Sequence, residues 1–94
     1  MTREEVLAWL DARRPAPPAT LVERLHRAVD SRLPAADSRL PDYLAQVGRA
    51  LLERVAGTPN GGRELALDLL AADAFATYAF EAQAEQGKGA VDET

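Results

Sequence analysis

Leu65-Ala66-Leu67-Asp68-Leu69-Leu70-Ala71-Ala72-Asp73-Ala74-Phe75-Ala76-Thr77-Tyr78-Ala79-Phe80 is the stretch on which the fold turns. At about 100° per residue, Leu65, Leu69 and Phe80 project to one side of a helix and Leu67, Phe75 and Tyr78 to another, with Leu70 and many alanines between them. No wholly polar face exists before Glu81. A helix that is apolar all round is normally buried all round, so residues 63–86 are expected to form the central helix of a small bundle. The stretch carries Asp68 and Asp73 and is too short and too charged to cross a bilayer, which predicts a soluble chain with no membrane partner. Residues 87–94 are polar and contain glycine, and are expected to be a mobile tail outside a single domain spanning 1–86.

Three amphipathic helices are expected before it. Thr2 and Glu5 have the spacing of a capping box, which starts a helix that Pro15 stops by residue 14. Val6, Leu7, Trp9 and Leu10 fall in one arc of about 160°, the stripe of a helix lying on a core. Pro15-Ala16-Pro17-Pro18 is a stiff linker. The second helix covers residues 19–32, with Leu21, Val22, Leu25, Ala28 and Val29 on its apolar face and Glu23–Arg27 and His26–Asp30 as exposed pairs one turn apart. Residues 33–41 have turn formers and no period, so they read as a connector holding at most one helical turn. The third helix covers 42–55 and closes at Gly57, with Leu44, Val47, Leu51, Leu52 and Val55 buried. Gly48 lies in the same arc, where the missing side chain admits a close backbone approach. Thr58-Pro59-Asn60-Gly61-Gly62 is the clearest loop, and no strand pattern or internal repeat is found.

The composition agrees with one folded core: 94 residues, 47 % hydrophobic and 28 % charged, lie in the globular range. There is no cysteine, which excludes disulfide scaffolds, thiol nucleophiles and redox pairs. Residues 1–63 hold ten Arg against eight acids, and residues 64–94 hold one Lys against seven acids, giving the net charge of -4. That weak positive balance over the first part does not make the basic patch of a nucleic-acid binder. Preference for Arg over Lys, with 19 Ala, fits GC-rich coding. Met1-Thr2-Arg3-Glu4-Glu5 is not the basic-then-apolar start of a secretory signal, so a cytoplasmic address is expected.

Candidate chemistry is sparse. Asp68 and Asp73 are expected to be buried polar residues, about 140° apart on the helix and so unable to share one site. Asp73 is expected to pair with an Arg of the second or third helix, or with Thr77. Glu64 and Asp68 share a face, yet the single His26 and the lack of a carboxylate-histidine tetrad leave no metal set. Gly61-Gly62-Arg63 lacks the phosphate-loop patterns and reads as a connector. Arg24, Arg27, Arg32, Arg49 and Arg54 are interleaved with Glu23, Asp30 and Glu53, as on a solvated face.

Asp37-Ser38 is similar to the start of the Asp-Ser-Leu at which acyl carrier proteins hold a phosphopantetheine arm. Arg39 stands where their Leu should be, Pro41 interrupts the residues after it, and residues 19–32 read as helix where those proteins have a long loop, so no carrier assignment is made.

The sequence therefore predicts an all-α, small antiparallel bundle of four helices around an apolar C-terminal helix. No catalytic residue, cofactor or metal is expected. A domain this small has little with which to cover a helix apolar on both sides, so Leu67, Ala71, Ala74, Phe75 and Tyr78 are expected to form an interaction strip for a second copy or another protein. A small DNA-binding regulator and an enzyme-accessory or carrier-type protein are the alternatives.

Overall fold

The computed structural model describes residues 1–59 and 62–92, with side chains through residue 86. They form α1 (Arg3–Asp11), α2 (Ala19–Ser31), α3 (Leu40–Ala56) and α4 (Gly62–Asp92), and no strand occurs among the described residues. At about 1.5 Å per residue the 31 residues of α4 span about 46 Å, which sets the long dimension of a 51 × 27 × 21 Å molecule.

The helix limits come from local chemistry. Both halves of the capping box form: the Glu5 amide donates to Thr2 Oγ1 at 3.1 Å, and the Thr2 amide donates to Glu5 Oε1 at 2.9 Å. That carboxylate is held below its usual range, first by the Thr2 backbone amide. α1 ends three residues before Arg14, whose position ahead of Pro15 disfavours helical backbone. α3 starts two residues earlier than the sequence suggests, because Pro41 occupies its first turn, where a missing amide leaves no bond unmade. In the connector, the Ala35 amide donates to Ser38 Oγ at 2.9 Å and the Ser38 amide to the Ala35 carbonyl at 3.0 Å. These bonds close a turn at residues 35–38, in place of the one short turn of helix expected there.

Gly62 opens α4 at φ +57°, in the left-handed region that favours glycine; Asn60 and Gly61 of the expected loop lie outside the described residues. α4 runs on through Asp92 instead of stopping at residue 86. The good helix formers Ala84, Glu85, Gln86, Lys88 and Ala90 outweigh Gly87 and Gly89, each of which costs about 1 kcal/mol. Of the segment expected to be a tail, 87–92 is thus helical, and 93–94 lies outside the described residues.

Every helix contributes to one core. Val6 and Leu10 enter it from α1, Leu25, Ala28 and Val29 from α2, and Tyr43, Leu44, Val47 and Leu51 from α3. They meet Ala71, Ala72, Phe75 and Ala82 of α4, with Phe75 the largest side chain fully sealed from solvent. The seam between α3 and α4 is close because of Gly48. A Cβ at that position would sit 3.1 Å from Phe75 Cβ and 3.3 Å from the Ala72 carbonyl oxygen. At the start of α3, Arg39 donates to Gln86 Oε1 at 2.8 Å near the far end of α4.

α1 is tied down by a mixed cluster. Trp9 meets Tyr78 edge-to-face at 6.0 Å, while the Arg13 guanidinium lies 3.7 Å above the Trp9 ring and pairs with Glu85 at 3.1 Å. Tyr43 links α3 to the end of α2 by donating its hydroxyl proton to the Arg32 carbonyl at 2.5 Å, and burial pushes its phenol up to about 12.

Candidate functional site

The chain leaves one apolar surface between α3 and α4. Gly48 brings these helices together, and on their outer side the small residues Ala45, Gly48, Ala72 and Ala76 form the floor of a groove of about 580 Å³. Three bulky side chains stand over that floor: Leu52, Leu69 and Phe80, with 52 %, 49 % and 79 % of their surface exposed. Most isolated apolar residues on a surface mean nothing, but a contiguous patch rimmed by charge marks a contact surface. The rim is charged here. Asp42 and Arg49 of α3 and Asp73 of α4 border the groove, all exposed, and none forms an ion pair among the described residues.

None of the five residues expected from the sequence to form an interaction strip lines this groove. Ala71 and Phe75 are fully buried within the chain, Leu67, Ala74 and Tyr78 are partly buried, and Tyr78 packs against Trp9. The bulkier side of α4 is thus the one that the other helices cover. Its open side is built of alanines flanked by Leu69 and Phe80, and these smaller residues give less apolar area for a short chain to bury. Leu69 and Phe80 fall together on the helical projection, and Gly48 already marked the helix they lie beside. The size of the side chains in the Leu67–Phe75–Tyr78 row drew the expectation to the other side.

Of the two aspartates, only Asp68 is buried. Its partner is Arg24 of α2, whose Nη1 donates to Asp68 Oδ1 at 3.1 Å; the two side chains are 10 % and 8 % exposed. Arg24 also pairs with Glu64, the residue one turn before Asp68, and this hydrogen bond holds the Glu64 carboxyl below its usual range. The shared face of Glu64 and Asp68 is therefore real, and an arginine occupies it. The expectation for Asp73 does not hold: it is exposed, and neither an Arg nor Thr77 bonds to it among the described residues. Asp73 instead lines the groove between α4 and α3.

His26 bonds to Asp11 of α1 at 2.8 Å rather than to Asp30, because Asp30 is held by Arg3, which lowers the Asp30 carboxyl from its ordinary value. Arg24 and Arg27 face carboxylates, Arg27 reaching Glu23 at 3.9 Å. Ser38 spends its hydroxyl on the Ala35 amide. Among the described residues no group of three or more His, Asp or Glu side chains is placed to hold a metal ion, and no helix is long and apolar enough to cross a membrane. Neither protein-family models, nor curated proteins, nor solved structures give a match to this chain.

Proposed function

We propose that this chain is a non-enzymatic protein-docking module: an antiparallel four-helix bundle, with α4 as its spine, that binds another protein surface through the α3–α4 groove. The observation that carries the reading is that Leu52, Leu69 and Phe80 stand exposed along one groove with a lining of small residues, bordered by charges that have no partner among the described residues. An isolated groove of this kind leaves apolar surface in water at about 25 cal/mol per Å², and a second protein removes that cost. The paired side chains near Arg24, Arg13 and His26 support the same reading from the other faces, since their polar groups are already engaged. The contact Arg39–Gln86 at one end of α3 and Gly48–Phe75 further along it supports opposite directions for α3 and α4.

The test is photocrosslinking in cells producing the chain, with a benzophenone amino acid placed at Phe80 or, as a control, at Leu33. Leu33 is a comparably exposed apolar residue, 62 % accessible, that does not line the groove. Discrete cross-linked protein bands are expected from position 80 and not from position 33. Equal products from both positions, or none from position 80, would overturn the reading.

A further inference from the structure

We propose that the occupant of the groove is a second copy of this chain, turned about a two-fold axis running along the groove so that α3 of each copy lies against α4 of the other. This rests on the reading of the α3–α4 face as a docking surface and adds its partner. Three features of the same surface argue for it.

The first is charge. Arg49 and Asp73 border the groove from α3 and α4, and no ion pair joins them within the chain. Gly48 packs on Ala72 and Phe75, and Arg39 reaches Gln86, which places Arg49 level with Asp73. Rotation about the groove axis keeps levels and exchanges sides. It therefore sets each Arg49 over Asp73 of the partner subunit, twice in one interface. A surface carrying both signs in this register is complementary to itself, as an isologous contact requires.

The second is shape. By the same correspondence Leu52 is level with Leu69, and Ala45 is close to the level of Phe80. The rotation places Leu52 against Leu69 of the partner subunit and the projecting Phe80 against the small residue Ala45 of the partner subunit. Projections thus meet apolar surface or small residues, and no like charges are set opposite each other.

The third is size. The face extends about 20 Å along the helices and two helix widths across, which covers roughly 1,000 Å² over both copies. That is at the lower edge of specific association and well below an obligate interface. The chain's core agrees, because Phe75, Leu44 and Val29 are sealed without any partner. The dimer is accordingly a weak and reversible one.

The experiment uses two charge reversals at exposed positions, Arg49→Asp and Asp73→Arg. Dimerisation of the purified full chain is followed by light scattering, with helical content and unfolding midpoint as folding controls. Each variant alone should self-associate at least tenfold more weakly than the unmodified chain, since each sets like charges opposite each other. Their equimolar mixture should recover association to within about threefold, as a heterodimer. One of its two charged contacts then joins the introduced aspartate to the introduced arginine, and the other joins the unchanged Arg49 to the unchanged Asp73. That recovery cannot come from a folding defect. A mixture no more associated than its components, or an unmodified chain that stays monomeric at several hundred micromolar, would overturn the proposal. If the chain is monomeric while cross-links from position 80 capture other proteins, self-docking fails and the docking surface stands. If it is monomeric and position 80 captures nothing, both fail.

Discussion

Replacing Arg24 by Met should destabilise the protein more than replacing Asp68 by Asn, although the two residues share one hydrogen bond. The Asp68 side chain is 8 % exposed and its carboxylate bonds to Arg24 at 3.1 Å, so Arg24→Met leaves a buried charge without compensation. Breaking a buried pair in this way costs about 3–5 kcal/mol. Asp68→Asn keeps an acceptor for Arg24, and the guanidinium retains the exposed Glu64 as its counter-charge, so the loss is about 1 kcal/mol. In a domain of this length about 1 kcal/mol moves the melting temperature by about 4–8 °C. The expected decreases are therefore about 12–40 °C for Arg24→Met and about 4–8 °C for Asp68→Asn. The double variant Arg24→Met with Asp68→Leu removes both charges and should regain at least half of the first loss. Urea unfolding followed by circular dichroism at 222 nm gives the free energies, with protein held at one low concentration so that self-association does not contribute. Equal losses for the two single variants, or a larger loss for Asp68→Asn, would refute the idea that Arg24 is there to neutralise a buried aspartate.

Four further outcomes come from the packing, the cap of α1 and its carboxylates. The buried Tyr43 phenol is raised to about 12, so above pH 10 the unfolded chain loses a proton that the folded chain keeps, and stability should fall by roughly 2–3 kcal/mol between pH 10 and 12; Tyr43→Phe should remove most of that alkaline loss, as read by unfolding at each pH. Gly48→Leu should cost more than about 2 kcal/mol and separate α3 from α4, because the Phe75 Cβ and the Ala72 carbonyl stand 3.1 and 3.3 Å from where its Cβ must go; an unchanged urea midpoint would contradict the close seam. Thr2→Ala should cost about 1 kcal/mol by removing the cap of α1. The carboxyls of Glu5, Asp30 and Glu64 are all lowered by their partners, so their stabilisation is complete above their unfolded values near pH 4 and is lost as pH falls through the lower folded values. An acid titration of stability in the Glu5→Gln chain, which has no carboxyl to protonate there, should accordingly show a smaller loss than in the unmodified chain.

The sequence carries the fold further than the site. Periodicity and end signals mark all four helices because they are local: Thr2 with Glu5 begins α1, Pro15 and Pro34 bound the connectors, and Gly57 closes α3, at φ −89° and not in the left-handed conformation that glycine would allow. Gly48 could be read in advance as a close approach, since a glycine on an apolar arc has few other roles. Which side of α4 is covered depends on how much bulk three other helices deliver to it, and that is a property of the whole chain. Trp9 on Tyr78 and Phe75 in the core settle the matter for the Leu67–Phe75–Tyr78 row, and nothing local to α4 encodes it. The partner of Asp68 was hidden for the same reason. Arg24 lies 44 positions away and looks, by its neighbours in sequence, like one more residue of a solvated face. His26 shows a subtler case: the local choice Asp30 was available, and Arg3 of another helix took it.

Self-docking through the α3–α4 groove is tested most directly by sedimentation equilibrium of the unmodified chain from low micromolar to several hundred micromolar. The expected result is a weight-average mass that rises reversibly from 10.1 kDa toward twice that value, and that stays near 10.1 kDa when Phe80 is replaced by Glu. A constant 10.1 kDa over the whole range, or a Phe80→Glu chain that still doubles in mass, would contradict it.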